Sequence, residues 1–334
     1  MSSVVAIEKQ PHDIIWTTTN AVVASRALHV VADLGVADHI GADAVDAVEL
    51  AARCGADAGA LDRVLRLLAT QGIFEAVDGG FRHTPASELL RSDHPMSMRG
   101  FPRMMNLPVM AETFARLDHA VRTGAPAAET VEPGGLWAYL ESRPEEARIF
   151  GEAMTARAAA ATAGILDAYD FGRFGTIADV GGGRGHLLRA VLDATPGARG
   201  VLFDQPPVIA ALDVEHERLA PAAGDFFADP LPAADAYILM DVLHDWPDEE
   251  SVAILSAIRR AAEPGATVLV VENIVRDDEP DPHGRTVDIV MLAVTGGRER
   301  TPRELSALFD RAGFRAGPVV DTAGPMRIAE ATAV

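Results

Sequence analysis

His244 stands in the run Met240-Asp241-Val242-Leu243-His244-Asp245-Trp246-Pro247-Asp248-Glu249-Glu250, just past an apolar strand candidate at Ala236 to Leu239. The carboxyl ends of strands are where α/β sheets hold their ligands, so an imidazole there is placed to act as a general base. Its unperturbed pKa of about 6.5 lets it take a proton from a phenol, which at about 10 is mostly protonated at neutral pH. Two acids recur at similar places. Glu272 ends the strand candidate Val268 to Val271, and Glu299 lies in Gly296-Gly297-Arg298-Glu299-Arg300-Thr301, before a helix starting near Pro302. Carboxylates there are expected to orient the ring and stabilise its protonated form. The competing reading of His244 is a packing or capping histidine.

The partner of such a base is written in Ile177-Ala178-Asp179-Val180-Gly181-Gly182-Gly183-Arg184-Gly185-His186-Leu187-Leu188, an apolar strand, a glycine turn and the start of a helix. Gly181, Gly183 and Gly185 allow a tight turn and close approach of a ligand to the backbone. Asp179 discriminates between ligands: a pyrophosphate is repelled by it, whereas the cationic amino group and sulfonium of S-adenosylmethionine (SAM) are attracted. The next strand candidate, Gly200 to Phe203, ends on Asp204, nineteen residues after Gly185, where a carboxylate accepts ribose hydroxyls. In Ala223-Gly224-Asp225-Phe226-Phe227, Asp225 is suited to an adenine amino group with Phe226 packed on the base. An ordinary loop turn at Asp225 is the alternative.

The elements that must position these groups follow from composition and periodicity. A chain of 334 residues, 49% hydrophobic, supplies two cores. No apolar run approaches the roughly 20 residues of a membrane span, and no charged-then-apolar start reads as a signal peptide, so a cytoplasmic protein is expected. The single cysteine, Cys54, excludes an intramolecular disulfide and cysteine-rich metal clusters. A formal charge of −20 opposes nucleic-acid backbones and anionic lipid surfaces, so neither is expected as a partner.

Residues 1 to about 100 read as a helical domain. Asn20 to Ile40 has helical spacing, and Leu61, Val64, Leu65 and Leu68 mark an amphipathic helix ending near Gly72. Ile73 to Val77 and Phe81 to Thr84 flank Asp78-Gly79-Gly80, a hairpin signal that completes a winged-helix pattern. With only Arg63 and Arg66 basic on the helix before the hairpin, dimerisation is expected there rather than DNA binding. Residues 101 to about 165 read as a helical connector, in which Met104, Met105, Met110, Phe114, Trp137, Phe150 and Met154 line a pocket for a flat apolar substrate or form plain core. From Ile177 onward strands and helices alternate as in a doubly wound α/β domain, closed by a hairpin of Phe314 to Val320 and Met326 to Ala331.

Asp179 to Gly185, Gly224 to Phe226, Leu243 to Glu249, Val271-Glu272 and Gly296 to Thr301, in this order, closely resemble the small-molecule O-methyltransferases that include plant caffeate-type and bacterial polyketide-tailoring enzymes. The resemblance covers nearly the whole chain. It implies an α/β fold, with a Rossmann-like class I methyltransferase domain at 101–334 preceded by a helical, winged-helix-type dimerisation domain at 1–100. It also implies a homodimer, SAM as cofactor and a small aromatic substrate; no metal is expected, since two ligands adjacent in sequence, His244 and Asp245, with a remote His283 are a thin signal beside a dedicated cluster. By the same resemblance His244 is the general base, flanked by Glu272 and Glu299. Asp179, Gly181, Gly183, Gly185, Asp204, Asp225 and Phe226 fall to the cofactor, and Met240 stands where plant members carry a lysine that contacts it. Met154 and Met291 fall on methionines that sandwich the acceptor, with Phe150, Asp245 and Trp246 assigned to the same pocket. Two other readings stay open: carbon methylation, hydroxylation or decarboxylation on the same fold, with a metal at His244, Asp245 and His283; and a winged-helix regulator that senses SAM or a metabolite.

Overall fold

The structure is a computed structural model that describes residues 10–212 and 216–334. It divides into two compact units, Met1–Asn106 and Leu107–Val334. In the first, the helix Pro11–Asp33 is followed by the short turn Val36–His39 and the helices Ala47–Cys54 and Ala58–Thr70. The hairpin β1 (Phe74–Val77) and β2 (Gly80–His83) comes next. The expected helix over Asn20 to Ile40 therefore starts earlier and breaks at Gly35, which takes a left-handed φ of 66°. The helix Ala47–Cys54 had no expectation attached; its start is set by Asp46, whose side chain accepts from Glu49 N–H at 2.8 Å. Asp57 caps the following helix in the same way. Leu61, Leu65 and Leu68 bury one stripe of that helix against Val31, Leu50, Phe74 and Phe81. Val45 bridges to Phe81 beside the hairpin, giving the winged-helix arrangement. Arg99 and Arg103 bond to Ala32 and Asp33 at the end of the first helix, which draws the helix Gly100–Met104 into this unit.

The second unit opens with helices, the last and longest being Pro144–Ala168. Then come β3 (Thr176–Val180), β4 (Arg199–Asp204), β5 (Leu219–Ala223), β6 (Ala236–Met240), β7 (Thr267–Glu272), β8 (Phe314–Asp321) and β9 (Arg327–Ala333). They form one sheet in the order β5-β4-β3-β6-β7-β9-β8. Strands β3 to β7 are parallel, and β9 runs antiparallel to both β7 and β8. The closing hairpin is where the sequence places it. His244 follows β6, the fourth strand of this unit, and β5 is not among the expected strands. The reason is chemical: Leu219-Ala-Pro-Ala-Ala lacks the β-branched and aromatic residues of a buried strand, and it sits at the sheet edge, half-buried to exposed.

Both faces of the central strands are covered, as parallel sheets require. Tyr237, Leu239, Val268 and Val270 face the helices Asp248–Ala261 and Pro302–Arg311, through Ile254, Ile258, Leu305 and Phe309. Ile238, Leu269 and Val271 face the opposite way, onto Ile165 of the long helix and Leu188 of His186–Ala194. Strand order reverses between β3 and β6, which opens a crevice beyond their carboxyl ends. The glycine turn leaves β3 and the His244 turn leaves β6, so both enter that crevice. Among the described residues no helix is long and apolar enough to cross a membrane.

Candidate active site

On the β3 side, Gly181, Gly183 and Gly185 take φ of 72°, 58° and 71°, conformations that side chains rarely adopt. Gly185 begins the helix His186–Ala194. Asp204, at the end of β4, accepts the Gly183 N–H at 2.7 Å and that of Gln205 at 2.7 Å, so it shapes the turn it was expected to face. Asp179 is tucked beneath the loop: a Cβ on Gly182 would stand 2.5 Å from its carboxyl carbon. One carboxylate oxygen of Asp179 is buried without a hydrogen-bond partner. Burial first, then the charge of Asp204, pushes its pKa up to about 7. A buried carboxylate with one unbonded oxygen under an open glycine turn is suited to a cation, and space beside Gly183 is free. These residues fit SAM.

Asp225 is exposed, and its side chain accepts from Phe227 N–H at 2.9 Å, the loop-turn alternative. Phe226 packs edge-on against Phe227 and Trp246, with centroids 4.8 and 5.9 Å away. The Trp246 ring joins the Phe226 cluster, with its centroid 4.8 Å from that of Phe227. Met240, the last residue of β6, is half-buried.

On the β6 side, His244 is buried and its Nδ1 lies 2.8 Å from Glu299 Oε1. Glu272 does not share the ring as expected; its Oε1 accepts the His244 main-chain N–H at 3.1 Å and so fixes the turn. Asp241 and Asp245 each place an oxygen 3.9 Å from His244 Nε2, the nitrogen Glu299 leaves available. Burial alone would push the ring towards its neutral form. The Glu299 bond and the Asp245 and Asp241 charges outweigh it and raise the pKa to about 10. Burial also lifts Glu272 to about 7 and Asp245 to about 6.

The loop carrying Glu299 is strapped to the histidine turn by residues that the sequence reading did not single out. Arg300, 1% exposed, donates to Leu243 O at 2.9 Å and Trp246 O at 2.7 Å and pairs with Asp248. Arg298 N–H donates to His244 O at 2.9 Å. Asp288, on the helix Pro282–Val294 that also carries buried Met291, accepts the Glu299 N–H at 2.9 Å. Asp241 is the only non-glycine among the described residues with positive φ, 52°, and it receives a two-pronged bond from Arg157 at 2.7 and 3.1 Å. Phe150, Met154 and Arg157 lie four and three residues apart on the long helix, one face of it by spacing. That interval was the available signal for Arg157. Phe150 packs edge-on to Trp137 at 5.8 Å, and Met154 is half-buried. Among the described residues no three His, Cys, Asp or Glu side chains are arranged to hold a metal ion.

Glycine turn, acidic strand ends and pinned imidazole on this sheet define a class I SAM-dependent methyltransferase unit behind a winged-helix unit. Family models agree: the O-methyltransferase domain matches residues 114–315 and the O-methyltransferase dimerisation domain residues 16–93. The phenazine O-methyltransferase PhzM of Lysobacter antibioticus is 39% identical over 315 residues, 92% of each chain. Human N-acetylserotonin methyltransferase in complex with SAM shares the fold with a TM-score of 0.91 at 27% identity, over 100% of this chain and 99% of that one. An O-methyltransferase from neocarzinostatin biosynthesis, solved with SAM and 2-hydroxy-5-methyl naphthoic acid, gives a TM-score of 0.76 at 35% identity, over 93% of this chain and 96% of that one. The chain belongs to the O-methyltransferase family and is a SAM-dependent O-methyltransferase of the secondary-metabolite type.

Proposed function

We propose that this enzyme methylates a phenolic hydroxyl of a small aromatic natural product, with His244 as general base. The observation that carries the reading is the 2.8 Å bond from buried Glu299 to His244 Nδ1, which leaves Nε2 as the proton acceptor beside the crevice. When bound, SAM supplies an electrophilic methyl group and carries away the bonding electron pair as a thioether. The acceptor O–H proton passes to Nε2 while the oxygen lone pair forms the new C–O bond. A ring raised to about 10 matches a phenol near that value, so proton transfer between them is close to thermoneutral. The working complex holds one proton fewer than the resting, protonated ring with a phenol, so turnover rises with pH. Met154 and Met291 supply the soft apolar surface a flat ring needs, and Asp204 and Asp179 serve the cofactor. The naphthoic acid bound to one relative and the phenazine methylated by another support an aromatic acceptor.

The same reading makes the enzyme a homodimer. Ile14, Ile15, Trp16, Val22 and Val23 on the first helix are more than half exposed, the last three of them within the dimerisation-domain match and the first two just before it. Light scattering giving the mass of a single chain at micromolar concentration rules this out. The single cysteine suits a reducing cytoplasm. The chemistry is tested by incubating the protein with SAM and a panel of hydroxylated naphthoic, benzoic and phenazine compounds. Mass spectrometry should show one methyl gained on oxygen. His244→Ala should lower kcat by about 10² or more with SAM affinity unchanged, the loss shrinking at high pH where the phenol ionises unaided. Wild-type turnover by the variant at neutral pH sinks the base assignment.

A further inference from the structure

Asp241 and Arg157 stand 84 positions apart in sequence, yet form a two-pronged ion pair three residues before His244. Both side chains are largely buried, at 16% and 13% exposure for Arg157 and Asp241. The backbone of Asp241 is left-handed, a conformation that Asp tolerates better than most residues, and it delivers the carboxylate to the end of β6. The geometry is specific. Asp241 Oδ1, the oxygen 3.9 Å from His244 Nε2, is the one that receives Arg157 Nη2 at 3.1 Å, while Oδ2 receives Arg157 Nε at 2.7 Å.

A carboxylate this close to an imidazolium N–H would ordinarily close the gap and bond it. The ring would then be held at both nitrogens, by Glu299 at Nδ1 and Asp241 at Nε2, with neither free for a substrate. We propose that Arg157 is a positioning residue that holds the Asp241 carboxylate off His244 Nε2, keeping that nitrogen open to the acceptor hydroxyl. The proposal rests on His244 as the base. Arg157 touches neither the ring nor, by this assignment, the reacting atoms; it acts through Asp241. Its place one turn beyond Met154 also ties the acceptor-side helix Pro144–Ala168 to the His244 turn.

Other charged groups set the background against which the pair works. From the loop Gly296 to Thr301 come Glu299 and Arg300, from β7 Glu272, and from the histidine's own turn Asp245. The helix Pro282–Val294 contributes Asp288, on the Glu299 N–H, and His283, whose charge acts on Asp241. Arg157 is the cation that bonds Asp241 directly and so prevents it from adding its full charge at Nε2.

Two readouts separate this from a structural role. The His244 ring is followed by NMR of histidine-labelled protein between neutral pH and the value of about 10 at which the wild-type ring is half neutral. Turnover is followed as a pH profile with the panel phenol that the wild type methylates fastest. In Arg157→Met the ring should stay protonated where the wild-type ring is losing its proton. The acid limb of kcat/KM should move up by about one unit, a tenfold loss on that limb that fades as pH rises. Arg157→Met with Asp241→Asn should return both readouts towards wild type, since Asn keeps the left-handed turn but no longer competes for Nε2 as a charge. Where the single variant fails to fold, Asp241→Asn alone should make the ring lose its proton at lower pH. An unmoved ring titration in these variants overturns the proposal, as does a loss of turnover equal at all pH and unrelieved by Asp241→Asn. A shifted titration with unaltered turnover overturns the base assignment instead.

Discussion

Gly297 lies so close to the histidine turn that a Cβ there would stand 1.9 Å from the His244 carbonyl oxygen and 2.5 Å from the Asp245 carbonyl carbon. The contact is backbone on backbone, so no side chain can swing aside to relieve it. This approach brings Glu299, two residues on, to His244 Nδ1 and lets Arg298 N–H reach His244 O. Gly297→Ala should therefore push the loop away, cost about 1–3 kcal/mol of stability and lower kcat more than it raises KM for SAM. Thermal unfolding and steady-state kinetics check it; a variant with both unchanged shows that the loop has a second way to pack.

Asp204 accepts the Gly183 and Gln205 N–H groups, and the proposed ribose contact gives it a second duty. Asp204→Ala should weaken SAM binding by about 10–100-fold, the loss of a charged acceptor from paired donors. Calorimetry reads this directly, and an affinity close to wild type removes Asp204 from the cofactor site.

Asp179 should make the ligand-free protein less stable as pH rises. Its folded pKa, about 7, lies above the ordinary value, so the folded state holds the proton more tightly. Stability is then greatest below the unfolded value of about 4 and falls as pH climbs through the folded value. Asp179→Asn removes this penalty, on the order of a few kcal/mol. The variant should melt higher than wild type above neutral pH and match it in acid. The rise in Tm on adding SAM should shrink, because the unpaired charge the cation meets is gone.

For His244 the sign is the same, but the window lies higher and the charged form is the stabilised one. A folded pKa of about 10 means that the Glu299 pair stabilises the protein fully below about 6.5, with the contribution lost as pH rises through 10. Glu299→Gln should be destabilised at neutral pH and converge on wild type at strongly alkaline pH. It should also move the acid limb of kcat/KM downward, since the ring sheds its proton more easily. Equal melting curves at both pH extremes would show that the pair contributes nothing to folding.

The sequence by itself determined the features that local chemistry controls. Gly181, Gly183 and Gly185 beside Asp179, the hairpin turn at Asp78-Gly79, and the placement of His244, Glu272 and Asp204 at strand ends follow from turn propensities and period-two apolar runs, which act over a few residues. β5 escaped because an edge strand of Ala and Pro has no such pattern. Tertiary structure decided what meets across the sheet. It put Glu272 on the His244 main chain rather than on the ring, set Trp246 against Phe226 and Phe227, buried Arg300 under the turn and joined Arg157 to Asp241. These choices depend on side-chain direction and on satisfying each buried charge, and the partners lie 19 to 84 positions apart. Pairing over such distances leaves no periodic trace along the chain; it is set only when the strands are laid side by side and the helices close over them.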